Sequence, residues 1–157
     1  MKFADFVCEQ AVLCELQAND RDSAIRELVE SLCKAGQLGN GSGAKIAEDV
    51  IKRESQASTG LGKGVAVPHI KSDAVDKVIA AVGLSGGGID FCSLDKQPVY
   101  SVILLVSPSG QPDEHLQAME NVFKHLQNEK FRKFLRQSQS CAQVMELFKE
   151  ADSGIYV

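Results

Sequence analysis

Residues 99–106, Val-Tyr-Ser-Val-Ile-Leu-Leu-Val, are the most hydrophobic stretch of the chain and are read as a central strand, ended by Ser107-Pro108. Residues 77–84 match it. Val78, Ala80, Val82 and Leu84 alternate with Ile79, Ala81 and Gly83, so both faces are apolar and this strand is central as well. Strands buried on both faces need a covering layer on each.

Helices before, between and after the strands supply those layers. Over about residues 20–35, Ile25, Leu28, Val29, Leu32 and Cys33 share one face, with Asn19 or Asp20 as the cap and Gly36 as the stop. After a turn at 39–43, with Ser42 as a cap, a helix at about 43–55 buries Ile46, Ala47, Val50 and Ile51. Pro112-Asp113-Glu114 starts a third, reaching about 127 and burying Leu116, Met119, Val122, Phe123 and Leu126, with His125 facing solvent. Two shorter helices, at about 129–137 and 140–150, close the chain.

Shorter extended segments are expected at 11–16 and 65–68, a break at Ser85-Gly-Gly-Gly88 and an edge-like piece at 89–91. The short connection from 68 to 77 allows an antiparallel neighbour. The expected fold is α/β: one domain over residues 1–157, with a mixed (parallel and antiparallel) sheet and helices on both faces.

Composition narrows the function classes. A formal net charge of −4 argues against non-specific binding to nucleic acid or anionic membrane. No apolar run approaches the ~20 residues of a membrane span, and the N-terminus has an acid at Asp5 and no apolar h-region. The five cysteines contain no C-x-x-C pair. A cytoplasmic protein without metal or cofactor is expected.

The chemistry concentrates in Arg53-Glu54-Ser-Gln-Ala-Ser58-Thr59-Gly60-Leu-Gly62-Lys63-Gly64-Val-Ala-Val-Pro68-His69. It runs from a helix end, through three glycines at alternate positions, into an apolar strand that stops at proline and histidine. Alternating glycines allow a sharp turn whose N–H groups face a common point. His69, projecting from a rigid strand edge, is read as the reactive residue. His115 lies in the first turn of a helix that follows another strand, so neighbouring strands would bring both imidazoles to one rim. The helix N–H groups there would favour an anion, and Arg53 would add a guanidinium fork.

Histidine is a competent nucleophile near neutral pH, its unperturbed pKa being ~6.5. A phosphoryl group on it would carry about −1.5 to −2 charges, to be met by Arg53, a protonated His115 and the helix amides. The set favours phosphoryl over acyl transfer. Each residue also has a plainer reading: His69 as a surface or capping residue, Arg53 as a favourable charge at a helix C-terminus, Glu54 as a solvated charge, the glycines as turn geometry.

Several sharper motifs fail. Ala57 stands where a Walker A loop needs glycine, and Gly64 follows Lys63 where it needs Ser or Thr. Gly60-x-Gly62-x-Gly64 precedes a strand and lacks dinucleotide-binding spacing. No His/Cys spacing suits zinc. A hydrolase triad of Ser58, His69 and Asp73 can be drawn, without a nucleophile elbow.

The 53–69 stretch, together with Gly88-Ile-Asp-Phe91, Pro98-Val99, Leu104-Leu-Val-Ser-Pro108 and Glu114-His115-Leu116, closely resembles enzyme IIA domains of the mannitol/fructose/nitrogen-regulatory class (type 2) of the bacterial phosphoenolpyruvate-dependent phosphotransferase system. The resemblance covers essentially the whole chain. It implies that His69 accepts a phosphoryl group on Nε2 from a histidine phosphocarrier protein and passes it to a IIB partner, or holds it as a signal. It implies that His115 and Arg53 contact that group and that Thr59 helps orient the site. Departures are Ile70 and Lys71 where the family often has glycine and arginine, Tyr100 where an acid is common, and Ala57 for a frequent glycine. A stand-alone domain, with no fused IIB or membrane IIC segment, is expected, and this leans toward the nitrogen-regulatory subtype. The alternative expectation is a non-catalytic regulatory module that docks partners through an apolar patch (Leu61, Val65, Ile70) according to the state of His69.

Overall fold

The computed structural model describes residues 1–39 and 41–156, so Asn40 of the expected 39–43 turn lies outside the described residues. In chain order the elements are α1 (Phe3–Phe6), β1 (Val7–Leu13), α2 (Arg21–Lys34), α3 (Gly43–Gln56), β2 (Gly60–Gly62), β3 (Val65–Ala66), β4 (His69–Ser72), β5 (Ile79–Ile89), β6 (Val99–Pro108), α4 (Pro112–Leu126), α5 (Glu129–Gln137) and α6 (Cys141–Asp152).

β6 is the spine of a mixed sheet. Antiparallel β5 covers one of its edges, from Ile79↔Val106 to Ile89↔Val99, and β1 lies parallel beyond β5. On the other edge β3 (Val65↔Ser101) and then β4 (His69↔Leu105) run parallel to β6, and β2 folds back on β3. Alternation along β5 and β6 sends Val82 and Leu105 into a core closed by α1, α4, α5 and α6. The intervening Ala81, Leu104 and Val106 enter a second core under α2 and α3. Helices therefore cover both faces, as the two-sided apolar strands require.

Several local expectations change. The strand at 65–68 does not stop at Pro68-His69: Pro68 has no N–H for the ladder, its carbonyl accepts from Leu105 N–H at 2.9 Å, and pairing resumes at His69. β5 runs through the glycine run to Ile89, with a register shift between Leu84 and Ile89. Gly88, at φ +85°, absorbs the irregularity. The N-terminal strand starts earlier than expected, at Val7, behind the short α1. Ser42 makes no side-chain cap to α3; its hydroxyl donates to the Gly39 carbonyl. Cys33 and Leu116 are exposed and Val65 is buried. His125 is buried, not solvent-facing, among Phe3 and Phe131, because α1 docks on this part of α4.

Candidate active site

The loop before His69 is shaped by three consecutive residues of positive φ: Gly62 (+80°), Lys63 (+60°) and Gly64 (+80°). They make the tight turn between β2 and β3, where a left-handed backbone matches the twist of the two strands. Its base is tied by a buried carboxylate. Glu54, in the last turn of α3, accepts the Thr59 backbone N–H at 3.0 Å and the Thr59 hydroxyl as well. Thr59 in turn gives its carbonyl to Val67 N–H at 3.2 Å. Glu54 and Thr59 thus lock helix, loop and strand together, and Glu54 is no solvated charge: it is 2% exposed.

At the far end of that strand His69 Nδ1 lies 2.8 Å from the Val67 carbonyl oxygen. A carbonyl only accepts, so Nδ1 carries the hydrogen and the neutral ring keeps its lone pair on Nε2. Residues paired across neighbouring strands share a face, so His69 and Lys71 stand with Leu105 and Ser107 on the side that α4 covers.

α4 delivers the second imidazole. His115 Nδ1 is 2.6 Å from the hydroxyl of Ser107, a fully buried residue. A hydroxyl both donates and accepts, so Ser107 can hold the ring in either charge state, donating to a bare Nδ1 or accepting from Nδ1–H. The ring centres of His69 and His115 are 5.7 Å apart, inclined by 43°. Partial burial first, then His69 and the Lys71 ammonium, hold His115 below its usual 6.5, so the resting ring is neutral at pH 7.

The helix start contributes less than its sequence suggests. Pro112 has no N–H and the His115 N–H bonds the Gln111 carbonyl at 3.3 Å, which leaves the amides of Asp113 and Glu114, beside those residues' own carboxylates. Arg53 comes from the opposite layer. Its Nη1 donates to the Ala57 carbonyl at 3.2 Å at the start of the loop, and it bonds neither imidazole. The structure therefore joins His69 with His115, and it puts Arg53 and Thr59 at the root of the loop.

The hydrolase geometry is absent among the described residues. His69 Nδ1 is taken by a carbonyl instead of Asp73, and the Ser58 hydroxyl accepts from Gly60 N–H at 3.0 Å. No group of three or more metal-ligating side chains occurs among the described residues, nor any helix long and apolar enough to cross a membrane. Sequence reasoning missed Glu54, Ser107 and the charge of Lys71. Glu54 carried a signal: with Ile46 and Val50 it falls at i, i+4 and i+8 on the buried stripe of α3.

Residues 5–151 match the family model described as phosphoenolpyruvate-dependent sugar phosphotransferase system, EIIA 2. The chain is 32% identical over 97% of its length to the fructose-specific EIIABC component of Bacillus subtilis, of which it spans 24%. It is 33% identical to a nitrogen regulatory protein of Bradyrhizobium diazoefficiens, over 88% of each chain. Among solved structures, the nitrogen regulatory protein IIA-Ntr of Neisseria meningitidis superposes with a TM-score of 0.83 at 22% identity, covering 93% of this chain and 98% of that one. The mannitol IIA of Escherichia coli, solved in complex with phosphorylated mannitol IIB, gives 0.75 at 23% identity, over 89% and 94%. This chain belongs to the EIIA type 2 family of the phosphoenolpyruvate-dependent sugar phosphotransferase system.

Proposed function

We propose that His69 is the phosphoryl acceptor of this chain and that it is phosphorylated on Nε2. One observation carries the reading: the Val67 carbonyl takes the Nδ1 hydrogen, so the free lone pair sits on the ring nitrogen away from the backbone, with His115 alongside. The lone pair of Nε2 attacks phosphorus in a phosphohistidine on a small carrier protein. As the new N–P bond forms the donor's N–P bond breaks, and the electron pair returns to the donor imidazole. Transfer onward follows the same pattern: a nucleophile of a IIB partner attacks phosphorus, the bond to Nε2 breaks and its electron pair returns to the His69 ring; where the group serves as a signal, it stays on His69.

Charge follows the group. The phosphoryl group brings about −1.5 to −2 charges to a rim where His115 is neutral. An anion beside an imidazole favours its protonated form, so His115 takes up a proton on phosphorylation while Ser107 keeps its bond by accepting. Arg53 and Lys71 supply the remaining positive charge, and Thr59 orients the loop through Glu54.

The direct test is incubation with phosphoenolpyruvate and the two general phosphotransferase proteins. An acid-labile gain of one phosphate is expected, and none in His69→Ala. Labelling that persists in that variant removes His69 from the role.

A second reading, a regulatory module switched by His69, is favoured by the relatives named nitrogen regulatory protein and by the exposed side chains of Leu61 and Leu116. Pull-downs with the unphosphorylated and His69→Asp forms separate the two: partners that do not change argue against a switch.

A further inference from the structure

At the other end of β6 lies a groove unlike the rest of this acidic molecule. Lys63, Arg132, Lys133 and Arg136 line it, with Tyr100 and a single carboxylate, Glu129, around a volume of about 490 Å³. Among the described residues none of the four cations has a carboxylate within 4.0 Å. Asp95 accepts from the backbone N–H groups of Lys63 and Gln97, at 3.3 and 3.0 Å, and does not line the groove.

Arg136 is held without an acid. Its guanidinium carbon lies 3.5 Å from the centre of the Tyr100 ring. The ring itself is wedged: a Cβ at Gly64 would stand 3.1 Å from its Cδ2, and one at Gly88 3.1 Å from its Cε1. A fixed aromatic face therefore pre-orients the guanidinium, and none of its N–H groups makes a hydrogen bond among the described residues. Arg132 gives Nη1 to the Leu126 carbonyl at 2.7 Å and keeps its other donors.

We propose that this groove binds a small phosphate-bearing anion carrying two or more negative charges. Four cations facing one carboxylate call for a multiply charged anion, and the planar fork of arginine matches phosphate oxygens in pairs. The volume is that of a small-molecule pocket. Arg136 already covers the Tyr100 face, so the ligand needs no base to stack there, and the net charge of −4 sets the molecule against a long polyanion. Tyr100 lies five residues along β6 from Leu105, the partner of His69, roughly 16 Å away. The groove is therefore separate from the histidine rim, and the proposal stands whether or not His69 carries a phosphoryl group.

Calorimetric titration of the full chain with inorganic pyrophosphate at low salt tests it, with citrate and a poly-glutamate peptide as comparators. Saturable binding of one pyrophosphate is expected, at least about tenfold tighter than citrate. Arg136→Met and Lys133→Met are each expected to weaken it at least about tenfold, and His69→Ala to leave it unchanged. Both groove positions are exposed, and thermal unfolding of each variant, with Lys63→Met as a further probe, verifies that the fold survives. Absence of saturable binding, binding that survives the groove substitutions, loss of binding in His69→Ala, or tighter binding of poly-glutamate would each overturn the proposal.

Discussion

Helix α4 carries a histidine near each end, and the two have opposite surroundings. His115, in the first turn, shares a rim with a second imidazole and a lysine and holds a serine hydroxyl that suits either charge state. His125, in the last turn, is 3% exposed among Phe3 and Phe131, gives Nδ1–H to the Asn121 carbonyl at 2.9 Å, and leaves Nε2 without a partner among the described residues. The same side chain on the same helix stands beside a second imidazole at a part-exposed rim at one end and packs among aromatic rings at the other. Position relative to the sheet decides which: the first turn opens over the end of β6, while the last lies under α1 and α5.

That contrast breaks most easily at His115. His115→Ala is expected to slow phosphoryl transfer to His69 by about 10²-fold, as loss of a single well-placed transition-state donor does, while leaving the thermal midpoint near that of the parent. Rapid-quench labelling beside a melting curve checks both halves. Full-rate transfer in the variant would reduce His115 to a bystander.

The complementary substitution moves the other observable. His125→Ala empties a buried site beside two phenylalanines and is expected to cost about 2 kcal/mol of stability, with the transfer rate per folded molecule unchanged. Urea unfolding measures the first and labelling the second. A large rate loss at native stability would erase the distinction between the two ends.

Acidity should produce the smallest effect. Folding lowers the pKa of His115, so the unfolded chain binds the proton more readily and stability falls as pH drops below about 6.5. Raising the pH through that window restores it. In His115→Asn this part of the acid limb is expected to disappear, making the loss of stability between about pH 7 and 5 shallower than in the parent. Equal slopes would show that His115 titrates alike in both states.

Much of this was legible in the sequence because the central strands are apolar on both faces. Val99–Val106 and Val78–Leu84 announce a sheet covered twice, and Pro112-Asp113-Glu114 announces the helix that brings His115 back to His69. What stayed hidden depends on what packs above a residue. His125 shares a stripe with Ala118 and Val122, yet its polar neighbours suggested solvent, and only the docking of α1 buries it. Glu54 reads as a surface acid until Thr59 is folded onto it. Ser107 reads as the end of a strand until α4 lays His115 over it. The persistence of pairing past Pro68 was concealed for the opposite reason: proline marks a missing N–H, but its carbonyl still serves the ladder.

The central claim is that the backbone at Val67 chooses which nitrogen of His69 reacts. Nitrogen-15 NMR of histidine-labelled protein, before and after phosphorylation, tests it directly. The account predicts a resting His69 protonated on Nδ1 and, after phosphorylation, phosphorus coupling at Nε2 of that ring alone. Coupling at Nδ1 of His69, or at His115 or His125, would contradict it.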